Sequence, residues 1–129
     1  VSPHKAEISM SLMDCLLAPF QKKVSVFGNK GDTSKWMSPL KIFNYMSARK
    51  PIIVSDIAVL REVLKNNHNA LICNPENENE WIESIKNVYE NKKLREYLSE
   101  NAYNDYSKHY SWDKRAKKVS LIINKYETK

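Results

Sequence analysis

Ser38-Pro39-Leu40-Lys41-Ile42-Phe43-Asn44-Tyr45-Met46-Ser47-Ala48-Arg49-Lys50-Pro51-Ile52-Ile53-Val54 is the stretch that decides how this chain folds. Ser38 is a natural N-cap, because its hydroxyl can accept a bond from an orphan N–H of the first helical turn. Pro39 suits the first helical position. A helix is therefore predicted over Leu40–Ala48, with Leu40, Phe43 and Met46 on one side. Pro51-Ile52-Ile53-Val54 follows as a strand with no polar face. Lys41 falls in the first turn, where the helix dipole disfavours a cation by about 0.3–1 kcal/mol and where a capping box would place Glu or Gln. Two readings fit. Lys41 points into solvent, as most lysines do, or it joins the free N–H groups of the helix start in holding an anion such as a phosphate.

The pattern repeats on either side. Upstream, Ala6–Met13 reads as a short helix and Asp14–Pro19 as a short apolar strand. Residues 21–37 hold both glycines, Gly28 and Gly31, and read as a loop around a short strand, Val24–Phe27. Downstream, Asp56 is expected to cap a helix running to Leu64, and Asn69–Cys73 forms another short strand. The helix Glu80–Tyr89 carries an apolar stripe of Trp81, Ile82, Ile85, Val88 and Tyr89. A helix from Lys93 to about His109 comes next, and Ser111 caps a last one ending near Tyr126. Short unbroken apolar strands alternating with amphipathic helices predict an α/β fold. Its sheet is Rossmann-like, parallel and flanked by helices on both faces. Ligands of such sheets bind outside the carboxyl ends of the strands, and the Ser38 helix start is expected at that edge.

The 129 residues suit one domain, and a 42% hydrophobic content excludes a disordered chain. No run approaches the ~20 apolar residues needed to span a membrane. Val1-Ser2-Pro3-His4-Lys5 lacks the apolar core of a secretory leader. Cys15 and Cys73 lie in apolar runs and read as buried, reduced thiols, which predicts a cytoplasmic protein. The net charge of +6 is compatible with nucleic acid, an anionic membrane or phosphate-bearing substrates. Lys114, Arg115, Lys117, Lys118, Lys125 and Lys129 concentrate it near the C-terminus, among Trp112, Val119, Ile122, Ile123 and Tyr126. These lysines form either the solvated face of a surface helix or a basic amphipathic helix at a membrane surface; nucleic acid is not expected as a partner. His4, His68 and His109 have no metal-ligand spacing, so no metal site is expected.

The run Ser38–Asp56 resembles the donor-site segment of the group 1, family-four glycosyltransferases. Asp14–Pro19 is similar to a strand of that family. Leu60-Arg61-Glu62-Val63 and Asn69-Ala70-Leu71-Ile72 are similar to the helix and strand that follow, and Tyr110-Ser111-Trp112 to the entry of its last helix. The resemblance implies retaining, metal-independent transfer on the two-Rossmann-domain GT-B architecture, with no cofactor besides the nucleotide-diphosphate sugar itself. Residues 1–129 would be the latter part of the C-terminal, nucleotide-sugar-binding domain with its C-terminal helices. The early strands and the N-terminal acceptor domain lie outside it, so this segment alone is expected to be inactive. In the family, the backbone at the positions of Ser38, Pro39, Leu40 and Lys41 faces the donor sugar and diphosphate. The position of Asn44 is usually a Glu that binds the ribose hydroxyls.

Three departures stand out. Trp36 and Asn44 occupy the places of two family glutamates. Asn44 can still bond to hydroxyls, but without the charge-assisted bond that is roughly twice as strong. Arg49 stands where the family ends the helix with Gly; a left-handed conformation there costs a non-glycine residue about 1–2 kcal/mol. The resemblance names no catalytic residue. It implies a glycan or lipid-linked acceptor. A place at the inner face of the membrane is expected where the basic C-terminal helix lies on that surface. A sheet cut at this point would leave an open edge, which predicts dimerisation. The alternative reading is a non-catalytic binding or assembly module that kept the fold.

Overall fold

The computed structural model describes residues 2–21 and 40–127. Ser38, Pro39, Trp36 and the strand expected at Val24–Phe27 lie outside the described residues. The elements run α1 (Pro3–Ser11), β1 (Leu16–Ala18), α2 (Leu40–Ser47), β2 (Ile52–Ser55), a 3-10 turn (Ala58–Glu62), β3 (Leu71–Cys73), α3 (Glu78–Glu90), α4 (Lys92–Asp105), a π-turn (Tyr106–Tyr110) and α5 (Trp112–Glu127). The three strands form one parallel sheet in the order β1-β2-β3. Leu16 pairs with Ile52, and Ile53 with Leu71. The expected class, a parallel sheet between helices, is the one observed.

Strand β2 lies in the centre with all four residues buried. Its alternation splits the core in two. Ile52 and Val54 face Ile42 and Met46 of α2, together with Leu60, Leu64 and Ala102. Ile53 faces Leu71, Val88 of α3 and Leu98 of α4. Strand β1 has β2 on one side only among the described residues, and its Leu17 is 41% exposed.

Several local expectations need correction. The buried side of α2 is Ile42 and Met46, spaced i, i+4, while Leu40 is half-exposed. Phe43 is partly buried beside them because Tyr110 stacks on its ring at 5.0 Å. No α-helix forms between Asp56 and Leu64. A 3-10 turn takes its place, with Ile57 in the flanking position, and the Asp56 carboxylate holds Arg61 at two points, 2.5 and 2.7 Å. The apolar stripe of α3 is buried only at Val88. Trp81 is half-buried, and Ile82, Ile85 and Tyr89 are exposed. The helix expected from Lys93 to His109 is regular only to Asp105 and then widens into the π-turn.

Polar side chains fix the joints. Asn77 and Asn91 cap α3 and α4 by accepting from the Glu80 and Leu94 N–H groups. Ser111 caps α5, as expected, by accepting from the Lys114 N–H at 3.4 Å. Asn69 is fully buried before β3: its amide donates to Val63 O (3.2 Å) and Asp105 Oδ2 (2.9 Å), and its oxygen accepts from the Lys65 N–H (2.7 Å). His68 Nε2 reaches the same Asp105 oxygen at 3.2 Å, and Asn101 donates to His68 O. The loop Lys65–Ala70 is thereby tied to α4.

Arg49 takes the left-handed conformation, with φ 53°. Helix α2 thus ends as a glycine would end it, against a backbone cost that contacts of the long side chain offset. The guanidinium lies 3.8 Å from the Tyr103 ring centroid and 3.5 Å from Glu100. Both cysteines are free, and Cys73 is buried. Burial pushes the Cys15 thiol up to about 11, and raises that of Cys73 as well.

Candidate functional site

The carboxyl ends of the three strands open into a cleft of about 990 Å³. Pro19, Phe20 and Gln21 leave β1, Ser55 ends β2, and Pro75 and Glu76 follow β3; Glu78, Trp81 and Ile82 close it from α3. This is the edge at which open α/β sheets bind ligands, and the volume is that of a whole small-molecule site. The Ser55 hydroxyl accepts from the Phe20 N–H at 2.8 Å, which fixes the turn out of β1. The Trp81 indole donates to Asn74 O at 3.1 Å, which fixes its ring at the mouth. Aromatic faces from Phe20 and Trp81 and carboxylates from Glu76 and Glu78 thus share one opening.

Helix α2 begins beside this edge. Lys41 in its first turn is exposed, with its ammonium 5.6 Å from the Phe20 ring centroid and 5.3 Å from that of Tyr45. The cation therefore sits at the lip of the cleft, held over two aromatic faces rather than trailing into solvent. Tyr45 is anchored in turn by a bond from its hydroxyl to Leu17 O at 3.3 Å.

Asn44, one turn later, faces another way. With Leu40, Phe43, Tyr106, Tyr110, Trp112 and Arg115 it lines a separate cavity of about 150 Å³ between α2 and the start of α5. The predicted site residues are therefore not gathered into one cavity among the described residues. Leu40 and Asn44 share the small one, Lys41 stands at the lip of the large one, and Ser38 and Pro39 lie outside the described residues. Phe20, Ser55, Trp81 and Arg115 were missed. Phe20 and Ser55 sit at or just after strand ends, a position rule that could have found them; Trp81, on α3, looked like part of that helix's core stripe. Arg115 carried no local signal beyond membership of a basic helix.

Among the described residues, no cluster of three or more His, Cys, Asp or Glu side chains has the arrangement of a metal site. No described helix is long and apolar enough to cross a membrane.

Two solved structures share this architecture at 14% identity. One is the C-terminal domain of a group 1 glycosyl transferase, LpcC, from Francisella tularensis, with a TM-score of 0.67 over 87% of this chain and 51% of that one. The other is sucrose-phosphate synthase from Thermosynechococcus elongatus, with a TM-score of 0.76 over 99% of this chain and 29% of that one. At that identity they show the fold alone, a parallel α/β sheet flanked by helices.

The sequence is more specific. The model of the glycosyl transferases group 1 family matches residues 38–105, more than half of the chain. This chain belongs to that family. The O-antigen chain mannosyltransferase RfbU of Salmonella typhimurium is 40% identical over 68 residues, 53% of this chain and 17% of RfbU. An uncharacterized glycosyltransferase of Methanocaldococcus jannaschii is 33% identical over 69 residues, 54% of this chain and 19% of that protein. The matched segment thus spans about a fifth of these relatives.

Proposed function

We propose that the chain is the donor-binding part of a glycosyltransferase that moves a sugar from a nucleotide-diphosphate sugar to a glycan or lipid-linked acceptor. Transfer is retaining and needs no metal ion. Residues 1–129 form the latter part of the nucleotide-sugar-binding domain and are inactive alone. The observation that carries this reading is the cleft at the carboxyl ends of β1, β2 and β3, with Lys41 at its lip, in a chain of the group 1 family.

The chemistry required is modest. A departing nucleoside diphosphate gains negative charge as the glycosidic bond to the sugar breaks. Fixed donors and a cation at the start of α2 stabilise that charge without reorganising. Ser38, Pro39, Leu40 and Lys41 serve the sugar and diphosphate, and Asn44 the ribose. The test uses the full-length protein that contains this segment, with UDP- and GDP-sugars, acceptor extracts and a chelator. Release of nucleoside diphosphate is expected; no release from any donor would end the reading. Calorimetry with UDP and GDP adds a local check, in which Lys41→Glu weakens binding about tenfold or more.

Asn44 and the early strands outside this segment favour the second reading, a non-catalytic module, since Asn44 stands where the resemblance implies a Glu. Arg49 no longer supports that reading, because α2 ends in the left-handed conformation regardless. Silence toward every nucleotide and nucleotide sugar would favour the module.

Two partner proposals follow from exposed surfaces. Helix α5 exposes Trp112, Ile122, Ile123 and Tyr126 beside its lysines, which supports peripheral contact with an anionic membrane at its cytoplasmic face. Co-sedimentation with vesicles containing phosphatidylserine is expected, and its absence at low salt would exclude this contact. In the isolated segment, the flank of β1 away from β2, unpaired among the described residues, supports pairing with a second copy. Light scattering across the micromolar range decides it, and a monomer throughout refutes it.

A further inference from the structure

The cavity beside Asn44 has an electrostatic character of its own. Seven of the described residues line it, and none of these is an Asp or Glu. The one cation among them, Arg115, comes from the first turn of α5, and its guanidinium lies 5.8 Å from the Phe43 ring centroid and 5.4 Å from that of Trp112. Those rings hold the guanidinium in place without neutralising it. None of the ion pairs formed among the described residues includes Arg115. Among the described residues, the adjoining groove, which Arg115 also lines, adds Lys114 and Lys118 against the one carboxylate of Glu62.

At about 150 Å³ the cavity is too small for a whole ligand, since such sites run to roughly 300–1,000 Å³. It fits one functional group of something larger. Arginine offers only donors, in a planar fork that matches a phosphate. The Asn44 amide and the hydroxyls of Tyr106 and Tyr110 can each donate as well. A carboxylate at position 44 would turn toward Arg115 and repel an oxyanion; the neutral amide leaves the cation available.

We propose that this cavity is an oxyanion subsite. Arg115, reaching in from α5, is a further ligand-binding residue that grips a phosphate of the nucleotide-diphosphate donor, and Asn44 is the residue that keeps it open. The identity of the phosphate rests on the donor reading above. The charge of the cavity does not.

Pyrophosphate therefore serves as a second probe beside UDP and GDP, by calorimetry on the full-length protein. Arg115→Gln is expected to weaken both pyrophosphate and nucleotide by about tenfold or more, with Arg115→Lys in between. Asn44→Glu is expected to weaken pyrophosphate to a similar degree. Lys125→Gln removes one charge from the far end of α5 and is expected to change neither. Thermal melts check folding, and if Arg115→Gln melts early, Arg115→Lys and Asn44→Glu carry the test. Nucleotide binding that is indifferent to Arg115→Gln and Asn44→Glu would overturn the subsite and leave the donor reading standing. Pyrophosphate binding that Arg115→Gln abolishes, with no nucleotide bound, would do the reverse. Binding of neither probe would end both.

Discussion

Helix α5 carries more large apolar side chains than β2, yet the two live in opposite surroundings. Every residue of β2 is buried. From Trp112 to Tyr126 every side chain of α5 is exposed, including Leu121 at 72% and Tyr126 at 75%. Strand β2 owes its structure to packing from both faces of the sheet. Among the described residues, α5 is supported chiefly by local terms: the Ser111 cap, Asp113 in the first turn and Lys125 in the last. Helices of ~12–15 residues held by such terms alone are marginal in water. The contrast is between burial by tertiary packing and apolar surface left uncovered among the described residues. The sheet with α2, α3 and α4 closes its own core. The apolar side of α5 is left exposed among the described residues.

Substitutions test this contrast, beginning with the largest expected effect. Ile53→Ala removes packing between the sheet and α3 and should cost about 2–5 kcal/mol in urea unfolding. Asn69→Ala should cost about 1–3 kcal/mol, because it strands the Lys65 N–H and the Val63 carbonyl in a buried loop. This loss would show that the packed region depends on one polar joint as well as on its apolar core. At position 49, Gly should be more stable than Ala by about 1 kcal/mol, since both lose the Tyr103 and Glu100 contacts but only Ala keeps the positive-φ cost. Equal stabilities would mean that α2 ends differently in solution. Leu121→Ala should stay within about 0.5 kcal/mol. A loss comparable to that of Ile53→Ala would show that α5 is covered in solution and remove the contrast.

Legibility followed the same division. Strands were readable because a strand buried on both faces has no polar face to disguise it: Ile52, Ile53, Val54, Leu71 and Ile72 carry no other message. Caps were readable where one side chain does the work, as at Ser111. Faces of helices were not. The spacing of Leu40, Phe43 and Met46 suggested one side of α2, but the sheet lies under Ile42 and Met46. Leu40 is left half-exposed, lining the cavity it shares with Asn44 and Arg115. The stripe on α3 looked like core, yet only Val88 is fully buried; Trp81 packs half-buried against the same cluster, and Ile82, Ile85 and Tyr89 stay exposed. Asp56 looked like a cap, but Arg61 five residues on offered a stronger, two-point partner for its carboxylate.

By itself the sequence determined the class. Its apolar runs have strand length, its helices alternate with them, and the Ser38–Asp56 run bears the marks of the group 1 glycosyltransferases. Local pattern and backbone chemistry suffice for that, since they act within a few residues. Tertiary structure alone decided the site. It set Lys41 over Phe20, 21 positions away in the chain, and brought Arg115 to Asn44 across 71. Such meetings depend on the register of a sheet and the crossing of helices, which no local pattern encodes.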